Sequence, residues 1–155
     1  MEVRVIEEKG RRSIAVRVLS APGDGRAAAL ARRISLLDGR VSGYPAGGPE
    51  RRLVALADIV LFEVAETRAR MLLRSGEELE STLRLCEIET ALEGSEFVRV
   101  SRQVIVNFAL VRTIRPELAG RLTLGLENGC EVLVTRTYVS AIRRRLEMGD
   151  SYEKR

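Results

Sequence analysis

The sequence predicts an α+β fold that is mainly β with helices. Three observations carry that prediction. From residue 53 onward, apolar residues fall into short runs separated by turn-forming or charged residues, the pattern of short strands. Three stretches, "RAAALARRISLLDG", "STLRLCEIETALEG" and "TYVSAIRRRLEM", instead carry apolar residues at helical spacing. The length of 155 residues, with 45% apolar and 31% charged, suits one soluble domain, or a small domain with an appended element, whose core needs no disulfide or metal.

The elements follow in order. In "VRVIEEKGRRSIAVRVLS" two strands flank a turn, with Val3 and Val5, then Ile14, Val16 and Val18, alternating with charged or small residues. "APGDG" is a turn cluster. The helix after it places Ala27, Leu30, Ile34 and Leu37 on one stripe, with Arg32, Arg33 and Arg40 off it and Gly39 as the stop. "GYPAGGPERR" reads as a linker, so a boundary is expected there. "RLVALADIVLFEVAE" gives two strands flanking Asp58, and "TRARMLLRSGEELE" gives a strand and a turn at Ser75-Gly76. Ser81 or Thr82 is expected to cap a helix with Leu85, Ile88 and Leu92 buried and Gly94 as its stop. Strands are then expected at 97–100, 104–106 continuing to 114, 121–126 and 131–135. Asn128-Gly129 is a two-residue hairpin signal between the last two. A short amphipathic helix closes the domain.

Composition excludes several functions. Histidine is absent, which removes histidine bases, histidine triads and most zinc sites. Cys86 and Cys130 share no metal or redox spacing and read as free thiols. The sequence holds no glycine-rich phosphate loop, and pairs such as Glu77-Glu78 sit in polar turns. No catalytic residue, metal or cofactor is therefore expected, and the protein is not read as an enzyme. No apolar run is long enough to span a bilayer, and "MEVRVIEEKG" has acids where a signal peptide has none, so a cytoplasmic location is expected.

Charge is uneven. Residues 1–96 hold 15 basic and 16 acidic groups, whereas residues 97–146 hold 9 basic and 3 acidic groups, a local excess of +6. Almost all of the basic residues are arginine, which suits bidentate contact with phosphates and guanine edges. Within that segment, "FVRVSRQVIVNFALVRTI" breaks an apolar strand pattern with Ser101, Arg102, Gln103 and Asn107. Such a loop can present Arg and Gln to base edges and Ser to a phosphate; a solvated loop with a structural Asn107 is the other reading. "VLVTRTYVSAIRRRL" sets Thr135, Arg136, Thr137 and Tyr138 at a strand end, followed by Arg143, Arg144 and Arg145. There Arg136 can enter a groove while hydroxyls hold phosphates, or a threonine can cap the helix and the arginines form a solvated face. Arg68 and Arg70 in "AETRARM" lie beside a turn between strands and give a weaker signal.

Taken in order, Asp58–Glu63, Phe97–Asn107, Ile114, Asn128-Gly129 and Val134–Tyr138 resemble the LytTR-type DNA-binding domain of bacterial transcriptional regulators. The resemblance spans about residues 51–147. It implies an elongated array of short antiparallel β-sheets with a packed helix, here preceded by a strand-strand-helix extension at 1–45 and followed by a polar tail at 148–155. It also implies loops entering successive major grooves, with base contacts at or next to Ala69, at Arg102 and at Arg136. Ala69 cannot hydrogen-bond a base, so Arg68 or Arg70 would substitute. Ser101 replaces a frequent histidine. Ser101, Gln103, Thr135, Tyr138, Arg143 and Arg144 would hold the backbone or position loops, with Asn107 tying loop backbone. The implied partners are double-stranded DNA with repeated half-sites, a second copy in a homodimer, and a membrane-protein regulator; residues 1–45 are the candidate for self-association or for a regulatory partner. A protein-interaction module whose basic face meets an acidic partner is the alternative.

Overall fold

The computed structural model describes residues 1–37 and 39–153. Among the described residues there are three helices, α1 (Gly25–Leu37), α2 (Leu85–Ala91) and α3 (Val139–Glu153). Among them, too, are ten strands, β1 (Arg40–Pro45), β2 (Arg52–Ala55), β3 (Ile59–Ala65), β4 (Arg68–Leu73), β5 (Glu78–Ser81), β6 (Phe97–Arg99), β7 (Val104–Asn107), β8 (Val111–Pro116), β9 (Leu122–Leu126) and β10 (Glu131–Val134). Seven make one sheet in the order β2-β1-β5-β4-β3-β7-β6, and three make another in the order β10-β9-β8. Every pairing is antiparallel. The expected α+β class, rich in short antiparallel strands, is the observed one.

The large sheet has a core on each face. On one face Ile59, Phe62, Ala69, Met71, Leu79 and Ile105 pack against Leu85, Ile88 and Leu92 of and just beyond α2. On the other, Val60, Leu61, Val98, Val100 and Val106 meet the small sheet through Leu122, Leu124, Leu126 and Val134, and α3 through Val139 and Ile142. Burial on both faces explains why β3 opens with four consecutive buried apolar residues instead of alternating. A register shift between Ile59 and Leu61 puts Val60 and Leu61 together on the second face.

Several expectations need correction. The strands expected around residues 3–18 are absent: no strand lies within residues 1–24. The chain there has no neighbouring strand to complete a ladder. Helix α1 forms as expected and is capped by Asp24, whose carboxylate accepts the Arg26 N–H at 3.0 Å. The same carboxylate accepts the Arg26 guanidinium, which holds the Asp24 carboxyl below its ordinary pKa. The side chains of Arg32, Arg33 and Leu37, and the capping by Gly39 next to residue 38, lie outside the described residues. The expected linker is partly strand β1, which pairs with both β2 and β5. Residues 148–153 of the expected tail continue α3.

Helix α2 is shorter than expected because Ser81 is held extended by its pairing with Gly43. Ser81 Oγ accepts the Leu83 N–H at 3.1 Å, and the residue before α2 is Arg84, which makes no side-chain cap. The Asn128-Gly129 hairpin is a three-residue loop, not two. Leu126 N–H donates to Cys130 O at 2.8 Å, and Gly129 takes the left-handed conformation (φ 85°).

Candidate nucleic-acid interface

Three chain reversals share one side of the molecule. The loop between β6 and β7 carries Ser101, Arg102 and Gln103. The β3–β4 turn carries Glu66 and Thr67. The exit from β10 carries Thr135 to Tyr138 as a short 3₁₀ turn leading into α3. Backbone hydrogen bonds tie the three together. Val64 N–H, at the end of β3, donates to Gln103 O at 2.9 Å. Thr135 N–H donates to Val100 O at 3.0 Å, joining the small sheet to the large one beside both arginine loops.

Arg102 and Arg136 are therefore held alike. Each stands two residues after a fully buried valine, Val100 or Val134, and a hydroxyl residue lies between. The valines anchor in one core, the Thr135 N–H beside one bonds to the carbonyl of the other, and the arginines emerge next to each other's loops. Both guanidinium groups are exposed and make no hydrogen bond or ion pair among the described residues. Exposed Arg143 on α3 is also free, while Arg144 donates weakly to Ser140 O at 3.5 Å. Most other arginines of the basic segment are engaged. Arg112 and Arg115 pair with Glu127, Glu117 and Glu131. Arg145 reaches Glu96 and Ser95 O and lies 5.7 Å over the Phe108 ring, which makes it a packing residue.

Other polar residues sort by position. Ser101 is half-buried, and its Oγ accepts the Gln103 N–H at 3.2 Å, closing the loop on itself. Gln103 is exposed. Thr135 is half-buried and its hydroxyl makes no cap; backbone closes that turn, Tyr138 N–H to Thr135 O at 2.9 Å. Tyr138 rests against the second core. Arg68 is the first residue after the β3–β4 turn and pairs with Glu80 at 3.3 Å. Arg70 lies further along β4, between Glu63 and Glu80 on the neighbouring strands, and pairs with Glu78 at 3.5 Å. Ala69 between them is buried.

Asn107 is not part of the loop. It lies at the other end of the β6–β7 hairpin, opposite Phe97. Its side chain donates to Ile59 O at 3.0 Å and accepts the Ala109 N–H at 3.1 Å, bracing β3 against the turn that enters β8.

The sequence reading missed Arg99. Its Nε donates to Ser101 O at 2.7 Å, another of its N–H groups donates to Arg102 O, and it pairs with Glu89 of α2 at 2.8 Å. One planar guanidinium thus ties the Arg102 loop to a helix on the far face. The parallel between Val100-Ser101-Arg102 and Val134-Thr135-Arg136 is a signal that could have shown the two loops to be alike.

The family model of the LytTr DNA-binding domain matches residues 50–147. The chain belongs to this family. A LytTr DNA-binding domain from Bacillus cereus has a similar structure, with a TM-score of 0.63 and 23% identity over 69% of this chain and 95% of that one. The chain matches none of the curated proteins. The basic loops described above thus belong to a LytTR domain, a DNA-binding and not a catalytic family. Among the described residues, no helix is long and apolar enough to cross a membrane.

Proposed function

We propose that this LytTR protein is a cytoplasmic, sequence-specific transcriptional regulator that reads major-groove bases with loop arginines. The observation that carries the reading is the pair Arg102 and Arg136: free, exposed, and set on two loops joined by the Thr135–Val100 backbone bond. A free guanidinium on a rigid base suits bidentate contact with guanine O6 and N7. Arg68, next to the third reversal, is the third reader. It would exchange Glu80 for DNA, whereas Arg70 is compensated on both sides. The Ser101, Thr135 and Thr137 hydroxyls, Gln103, Tyr138, Arg143 and Arg144 hold the sugar-phosphate backbone. Residues 51–147 are the reading unit, and residues 1–45 serve association. The protein binds repeated half-sites as a dimer.

Selection of a preferred duplex by the purified protein, followed by a salt titration, tests this reading. Log K should fall linearly with log salt, by about 0.9 per phosphate neutralised. The preferred duplex should bind about a thousandfold more tightly than scrambled sequence, or better. Arg136→Ala should cost roughly 1–3 kcal/mol on the preferred duplex and flatten the preference at its base. Equal weakening on both duplexes would make Arg136 a phosphate contact. Absence of binding to either duplex at moderate salt would favour a basic face for an acidic protein.

A further inference from the structure

The β3–β4 turn holds a residue that the fold itself does not require. Ala65 pairs with Arg68, so only Glu66 and Thr67 form the loop. Glu66 has a φ of 60°, and the φ of Thr67 is not positive. This is the II′ form of a two-residue hairpin, whose twist suits the flanking strands and whose first position favours glycine. Hairpin closure thus explains the conformation but not the glutamate. An L side chain there is strained, and glycine would adopt the same φ freely.

Nor does the carboxylate offset the strain with a bond of its own. Glu66 is exposed and makes no hydrogen bond or ion pair among the described residues. Arg68, two residues on, turns instead to Glu80 at 3.3 Å. A use for the carboxylate therefore lies outside the chain, and its surroundings point to DNA. Val64, two residues before it, is bonded to Gln103 of the Arg102 loop, so the tip of the turn stands beside that loop. Among the residues of the three reversals, 66–67, 101–103 and 135–138, Glu66 is the single acid. A carboxylate repels phosphates. In the major groove its partners are the exocyclic amino groups, adenine N6 and cytosine N4. Adenine sets N6 beside its N7 acceptor, which repels a carboxylate, whereas cytosine offers N4 with no acceptor of its own beside it.

We propose that Glu66 is a specificity-determining residue that accepts a hydrogen bond from cytosine N4 in the major groove. It adds an acidic reader to the arginine readers, and the strained turn holds it at the tip. This rests on the base-reading function proposed above.

Selection from a randomised duplex library by the full chain tests it, with Glu66→Gln, Glu66→Gly and Arg136→Ala beside the wild type. The wild type should select cytosine at one position that Arg136→Ala leaves unchanged. Glu66→Gln, whose amide suits adenine N6 and N7, should shift that position to adenine. Glu66→Gly should accept any base there and bind the preferred duplex about tenfold more weakly. Its binding to scrambled duplex should not weaken, and its thermal unfolding midpoint should rise by about 2–4 °C as the turn relaxes. Equal tightening on both duplexes in Glu66→Gly would mark an acid that only repels phosphates, and overturns the proposal. A lowered midpoint, which would tie the glutamate to the fold, does so too. Unchanged selection in Glu66→Gln, with the preference still flattened by Arg136→Ala, overturns this inference alone. A wild type that selects no sequence overturns the base-reading function with it.

Discussion

At the residue scale, the arginines differ by what they can reach. Arg99 meets two loop carbonyls and a helix carboxylate; the guanidinium of Arg102, three residues on, meets nothing among the described residues. Both look alike in sequence, and only their neighbours separate a positioning group from a recognition group. Arg99→Leu should weaken binding to the preferred duplex about tenfold, because the loop loses two charge-assisted hydrogen bonds, while the fold loses only about 1–2 kcal/mol. Amide shifts at residues 101–104 should move most. Arg99→Lys should restore less than half of the loss, since one ammonium cannot span three acceptors. Wild-type affinity in Arg99→Leu would show that the loop needs no brace. Asn107 teaches the same lesson from the other side. Its polarity was legible, but its two backbone partners, Ile59 and Ala109, were not, and one of them is 48 positions away.

At the element scale, strand β1 is the clearest misreading. "VSGYP" carries the Gly and Pro of a loop, yet its neighbours β2 and β5 hold it extended. Gly43 is required by close approach. A Cβ there would lie 2.9 Å from the Met71 tip, 3.0 Å from Leu79 Cβ and 3.1 Å from Glu80 O. The methionine can yield, but the other two atoms cannot move without the strand. Gly43→Ala should therefore destabilise the protein by about 1–3 kcal/mol in urea unfolding, despite alanine being the better residue in isolation. No loss would mean that β1 shifts freely at the sheet. Helix α2 shows the converse: its buried stripe was legible, whereas its start was not, because sheet pairing claims Ser81 before the helix can use it.

At the scale of the whole molecule, β3 and β7 serve two cores at once. Ile105 faces the α2 core, and Val106, its neighbour, faces the small sheet and α3. One strand with two packed faces couples them, so both cores should melt together. Ile105→Ala should cost roughly 2–5 kcal/mol, and Val106→Ala somewhat less for its smaller side chain. Each should lower one shared midpoint, followed by far-UV dichroism and by tyrosine fluorescence. Two separate transitions in either variant would show that the sheets fold independently. The same coupling explains the loops: Val100 and Val134 belong to a single core, so Arg102 and Arg136 share one rigid mount.

The sequence by itself determined the α+β class, most strand positions after residue 53, the buried stripe of α2, the +6 segment and the family resemblance. These rest on local periodicity, composition and residue order, which need no knowledge of distant partners. Tertiary structure alone decided that residues 3–18 stay unpaired, that β1 is a strand, that Asn107 braces β3, and that Arg102 and Arg136 are free while Arg99 and Arg145 are not. Each of those outcomes depends on whether a group is brought in from elsewhere in the chain, as Glu89 is for Arg99 and Ser95 for Arg145. A periodic pattern fixes which face is apolar, but not what that face or its charged neighbours will meet.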